Sequence, residues 1–136
     1  MKLGQQQCRE RLAAARVARL ATADGAGAPH VVPVTFALDG DRIVTAVDQK
    51  PKSTTDLKRL RNIAANPFVA LLADHYDDDW SQLWWVRADG RADILAESND
   101  AVRLLAAKYP QYRTDPPRGP VVVVSIDRYA GWAYTG

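Results

Sequence analysis

Short apolar runs recur along this chain, and most of the links between them are turns too brief to hold a crossover helix. Val17–Ala23, His30–Ala37, Arg42–Val47, Phe68–Ala73, Leu83–Leu95 and Val121–Ile126 read as strands. Asp24–Pro29 and Asp39-Gly40 punctuate the first three as turns. Parallel neighbours need a connection of about a dozen residues or more, so these strands pair antiparallel. The pattern predicts a mainly β fold: a small antiparallel barrel of six to seven strands with helices at its edges, forming one domain over residues 1–136.

Particular residues refine the strands. The opening three form a predicted β-meander. Pro33 interrupts Val31-Val32-Pro33-Val34-Thr35-Phe36, and a residue without an N–H places that strand at a sheet edge or gives it an irregularity there. Asp89-Gly90 predicts a bulge or bend in the long strand. Trp84 and Trp85 point to opposite faces, one towards the core and the other towards a groove or a partner. The four valines from Val121 to Val124 predict burial on both faces, and Tyr129–Tyr134 adds an aromatic tail as an edge strand.

Three stretches read as helices. Residues 5–15 carry a weak apolar stripe of Cys8, Leu12 and Ala15. Ser98 caps a second helix with Val102, Leu105, Ala106 and Tyr109 in register, stopped by Pro110, and residues 110–120 follow as an irregular loop. The third concentrates the chemistry. In Lys50-Pro-Lys-Ser-Thr-Thr-Asp56, the residues Ser53, Thr54 and Thr55 are good N-caps for a helix that Leu57, Leu60, Ile63 and Ala64 continue to Asn66-Pro67. Lys50 and Lys52 precede its first turn, where a positive dipole end disfavours cations. An anion, most simply a phosphate, relaxes that conflict. Lys58, Arg61 and Asn62 share a helix face with Arg59 beside them, which extends the cationic surface.

Composition limits the partners. A net charge of +2 makes the basic helix a local patch against an acidic remainder that includes Asp77-Asp78-Asp79, which argues against a nucleic-acid-binding protein. One cysteine permits no internal disulfide, and His30 and His75 stand alone, so no metal is assigned. Residues 1–7 hold no apolar leader core and no run reaches membrane-spanning length, which predicts a soluble cytoplasmic protein. No Gly-x-Ser-x-Gly, Walker A, Gly-x-Gly-x-x-Gly or His-Glu-x-x-His occurs, so any enzymatic chemistry falls to a bound cofactor, with the catalytic residue unassigned. Tyr129 and Tyr134 are candidate proton donors beside solvent.

Four stretches carry a resemblance: Ala18–Gly25 with Pro29–Phe36; Lys50-Pro-Lys52 leading to Leu60–Pro67 and Val69–Leu71; Leu83–Gly90; and Lys108–Tyr112 with Gly131-Trp132. Together they resemble the pyridoxamine-phosphate-oxidase-like split β-barrel family, and within it the small oxidoreductases that use the deazaflavin coenzyme F420. The resemblance implies a homodimer with the cofactor in a groove between subunits. It implies that Lys50, Lys52, Ser53 and Thr54 meet the phosphate, with Lys58, Arg59, Arg61 and Asn62 as further contacts. Pro33, Val34 and Thr35 would lie along the ring system, and Trp85 would face the groove or the partner.

One departure bears on the cofactor. The family's flavin-mononucleotide oxidases carry a glutamine before Val-Arg, where this chain has Trp85 before Val86-Arg87. The reading is therefore an F420-dependent reductase transferring a hydride to a small unsaturated molecule. The alternatives are an FMN-dependent oxidoreductase, or a non-catalytic F420- or haem-binding protein of the same fold.

Overall fold

The computed structural model describes residues 1–47 and 57–135. Seven strands form one antiparallel sheet: β1 (Ala18–Ala23), β2 (Pro29–Val34), β3 (Ala37–Asp39), β4 (Arg42–Ala46), β5 (Phe68–His75), β6 (Trp84–Leu95) and β7 (Val121–Ala133). Their order is β2-β1-β5-β6-β7-β4-β3. The two ends of that order, β2 and β3, are consecutive in sequence and joined through Thr35 and Phe36, so the sheet curls on itself as a split barrel. Flanking it are α1 (Gln5–Ala14), α2 (Lys58–Ala65), α3 (Asn99–Lys108) and a single turn, α4 (Gln111–Thr114), with a 3-10 turn at Trp80–Gln82.

This order corrects the expected meander. His30–Ala37 is two strands, because Phe36 is fully buried and its backbone is held by a side chain instead of a neighbouring strand. The Tyr109 hydroxyl sits 3.1 Å from the Phe36 amide, 3.0 Å from its carbonyl and 2.9 Å from the Arg16 carbonyl. β4 consequently pairs with β7 across Ala46↔Val121, not with β2. The aromatic tail is no edge strand either: it continues β7 and pairs centrally, Trp85↔Trp132 and Val86↔Gly131. The loop after α3 contains α4, whose first turn follows directly from Pro110.

Other expectations hold. β2 is an edge strand and pairs only with β1, with Pro33 opposite Arg19. The register shifts between Asp89 and Gly90, where a Cβ on residue 90 would collide with the Ser125 carbonyl, so only glycine allows β7 to approach. Ser98 accepts a hydrogen bond from the Ala101 amide at 3.2 Å and caps α3.

Alternation separates the core from an outer face. Leu20, Leu71, Val86, Ala88 and Val124 point inward and are fully buried, closed over by Leu12 and Cys8 from α1 and Ile63 from α2. A smaller cluster packs Ala101, Leu105 and Tyr109 of α3 against Ala37, Val44 and Val121. Burying a side chain of this size contributes about 1.5–3 kcal/mol, so these two clusters fix where α2 and α3 sit. Among the described residues no helix is long and apolar enough to cross a membrane.

Candidate functional site

The strand edge and the basic helix meet. His30, Val32 and Pro33 of β2 face Leu57, Lys58 and Arg59 across a concavity of 350 Å³. Two local arrangements create it. The first is the β1–β2 turn, where the Asp24 carboxylate accepts hydrogen bonds from the Ala26 and Ala28 amides at 2.9 Å each and Gly27 takes a φ of 87°. The Ala28 amide is the main cause holding the Asp24 carboxyl below its usual range, and the charge of Lys58 adds to it. The second is Asn62, whose amide donates to the Thr22 hydroxyl at 3.0 Å in a buried contact. The Asn62 contact holds α2 against β1, beside that turn.

The residues named from the sequence separate into groups. Pro33, Lys58 and Arg59 converge on this cleft. Lys50, Lys52, Ser53 and Thr54 lie outside the described residues. The expected Ser53–Thr55 cap gives way to Leu57, with an extended backbone, as the N-cap of a helix that begins at Lys58. Asn62 is 3% exposed and faces Thr22, apart from the cationic surface, while Ala64 of the supposed apolar stripe is exposed. Arg61 remains on the exposed side of α2. Val34 turns into the core, and the Thr35 hydroxyl lies 2.7 Å from that of Tyr112. The Thr35 carbonyl accepts from the Thr45 hydroxyl at 2.7 Å.

His30 is the residue that sequence reasoning left aside. It is partly buried opposite Thr22, and its Nδ1 is shielded from solvent with no hydrogen-bond partner. Strand alternation put it on the inner side of β2, but only the position of α2 makes it part of a cleft. Among the described residues no group of three or more His, Cys, Asp or Glu side chains could hold a metal ion.

Trp85 belongs to a second region, on the outer face of β1, β5 and β6. With Arg19, Val31, Leu72, Tyr76 and Arg87 it lines a concavity of 480 Å³. This runs through Ala21, Ala70 and Arg87 into a neighbouring hollow of 550 Å³ that ends at Phe68, Asp89 and Arg128. Trp84 turns the other way and packs on the core, with the Arg11 guanidinium 5.3 Å from its ring centre. Several of the outer-face charges pair with one another. Asp89 accepts from Arg87 at 2.8 Å and from Arg128 at 2.8 Å, and Arg91 pairs with Asp127 at 2.9 Å. Burial works against ionisation of Asp89, but the hydrogen bonds and charges of both arginines outweigh it and hold its carboxyl below the usual range.

Neither tyrosine considered as a proton donor reaches the cleft. Tyr129 faces inward beneath α1, where burial pushes its phenol up despite the Arg9 guanidinium nearby, and Tyr134 is exposed at the end of the chain.

Comparison with known proteins places the fold. A FAD-binding protein from Mesorhizobium loti is 22% identical, with a TM-score of 0.73 over 96% of this chain and 95% of that one. A conserved hypothetical protein from Mycobacterium tuberculosis is 18% identical, with a TM-score of 0.76 over 97% and 86%. HutZ, the haem storage protein of Vibrio cholerae, is 13% identical with a TM-score of 0.71 over 95% and 93%. No curated protein matches the sequence. The sequence profile of pyridoxamine 5'-phosphate oxidase matches residues 5–133, nearly the whole chain, and so the protein belongs to the pyridoxamine 5'-phosphate oxidase family.

Proposed function

We propose that this protein is a homodimeric oxidoreductase that binds a phosphate-bearing, flavin-type cofactor at the β2–α2 cleft and serves hydride transfer to a small unsaturated organic molecule. The observation that carries the reading is the cleft: the side chains of Lys58 and Arg59, the His30 residue and the exposed, N–H-free surface of Pro33 line one concavity. That donor set fits a phosphate better than a metal or a neutral ligand. Lys58 and Arg59 would hold the phosphate, with Lys50, Lys52, Ser53 and Thr54 as further proposed contacts, and Pro33 would offer an apolar edge to the ring system.

When bound, such a cofactor supplies a two-electron hydride donor. The residues of the chain supply charge and position, so their effect is orientation and electrostatic preorganisation. F420 is the cofactor we infer, on the likeness of the sequence to the F420-using branch. FMN is the second reading, supported by the FAD-binding Mesorhizobium structure of the same fold. A non-catalytic haem-binding role is the third, on the likeness to the Vibrio protein.

The outer face is assigned to a second copy of the chain. Val31, Phe68 and Tyr76 are 60%, 66% and 69% exposed there, around a groove floored by Ala21 and Ala70. Exposed apolar side chains gathered on a sheet face mark an association surface, and a two-fold axis would let it pair with itself. Separate calorimetric titrations of the purified protein with F420, FMN and haemin test the proposal. Micromolar or tighter binding of F420 or FMN supports it, and the tighter of the two decides the cofactor. Binding of haemin alone would replace it with the binding-protein reading.

A further inference from the structure

A lysine ordinarily lays its carbon stem on apolar surface and keeps its ammonium in water. Lys108, the last residue of α3, does the reverse. The residue as a whole is only partly buried, but its Nζ is shielded from solvent and has no hydrogen-bond partner. The nitrogen sits against the break between β2 and β3, 3.8 Å from the centre of the Phe36 ring and 5.4 Å from that of Tyr109. Aromatic faces attract a cation, but they offer no conventional acceptor for the three N–H groups of an ammonium.

Among the described residues no carboxylate pairs with this nitrogen. From the link between α1 and β1 comes Arg16, whose guanidinium stands 5.0 Å from the Tyr109 ring centre and donates to the Lys108 carbonyl at 2.9 Å. From α4 come Tyr112, edge-on to Tyr109, and Arg113, which donates to the Ala106 and Ala107 carbonyls. On α3 itself Arg103 pairs with Asp100, and on β3 and β4 the charged residues Asp39 and Arg42 pair with each other. We infer that Lys108 is a proton-operated clasp on the break between β2 and β3: uncharged, it lets the end of α3 close on Phe36, and charged, it favours opening of that turn to reach water.

The direction follows from where the proton is held. Burial, and after it the charge of Arg16, lowers the closed Lys108 ammonium to about 8. Opened to water, the same amine holds its proton to about pH 10.4. The open form therefore binds more protons between these limits, and raising the pH favours the closed one. Burial pushes the Tyr109 phenol up, so that neighbour stays protonated where Lys108 titrates. The clasp does not depend on what the cleft binds.

The test uses the intact protein and two readouts. In ¹³C NMR the Lys108 Cε signal, traced to its own backbone, is expected to turn over near pH 8 in the folded protein and near about pH 10.4 in urea. Amide hydrogen exchange, corrected for its intrinsic pH dependence, is then read at Phe36, held by the Tyr109 hydroxyl, and at Tyr109, held by the Leu105 carbonyl. Protection at both should rise roughly tenfold between about pH 7 and pH 9, and amides in the middle of β5 should not follow it. Lys108→Met, which keeps the stem and removes the proton site, should be as protected at neutral pH as the wild type is when alkaline, with no further rise.

A Cε midpoint in the folded protein equal to that in urea would overturn the inference. So would protection at Phe36 and Tyr109 that stays flat or falls as the pH is raised. A rise that persists in Lys108→Met would also overturn it, by assigning the clasp to another group. The two wild-type readouts decide the matter even where the variant does not fold.

Discussion

The two hollows beside β2 differ in how their charges are settled. On the outer face Arg87 pairs with Asp89 along β6, while Arg128 with Asp89 and Arg91 with Asp127 pair between β6 and β7, and the floor beside them includes alanine, leucine and tryptophan. In the cleft, Lys58 and Arg59 gather at the start of a helix, and no carboxylate is among the described residues that line it. A surface whose arginines and aspartates largely pair beside exposed apolar side chains suits a self-complementary contact. A cleft lined by cations and no carboxylate suits a ligand that brings negative charge. The same strand pair thus separates two surfaces of different chemistry.

The largest expected effect is on the outer face. Trp85→Ala should weaken self-association by about 2–4 kcal/mol, the loss typical of a central interface tryptophan. Sedimentation across a concentration series checks it, and an unaltered dimer would make Trp85 ordinary packing. Asn62→Leu comes next. It removes the buried bond to Thr22 that seats α2, and should lower unfolding stability by about 1–3 kcal/mol and weaken cofactor binding with it. Denaturation and titration on one preparation would show whether the two losses travel together; stability lost with binding intact would detach the cleft from the seating of α2.

Much of the comparison was legible in the sequence where a strand's period of two decides the outcome. The opposed Trp84 and Trp85, the edge position of Pro33 and the bulge at Asp89-Gly90 all follow from local rules that the structure obeys. What was not legible depends on elements distant in sequence. Pairing of β4 with β7 and the break at Thr35-Phe36 are imposed by Tyr109, more than seventy residues further on. Asn62 was placed on the cationic face because an apolar stripe was used to orient the helix, and a polar residue at a buried position is invisible to that reasoning. His30 looked isolated for a related reason: its significance comes from what α2 brings to it.

Two smaller effects sharpen the contrast in charge. Lys58→Ala should weaken binding of F420 or FMN by about 1–2 kcal/mol, close to tenfold, while leaving the dimer alone. Equal loss for a dephosphorylated ligand would mean that Lys58 does not read the phosphate. The smallest effect concerns Asp89. Because its carboxyl is held below the usual value in the folded protein, its contribution is present at neutral pH and is lost as pH falls through the carboxylate range, below about 4. Asp89→Asn should therefore cost at most about 1 kcal/mol at pH 7 and flatten that acid decline, as thermal melts over pH 3–7 would record. An unchanged acid limb would show that the arginine pairs contribute nothing to stability.

The separation of the two regions is tested most directly by backbone hydrogen exchange on one sample, with and without saturating cofactor and at high and low protein concentration. The account expects the cofactor to slow exchange in β2 and the first turn of α2, and concentration to slow it along the outer face of β5 and β6. Cofactor protection confined to the outer face, with β2 and α2 unchanged, would contradict it.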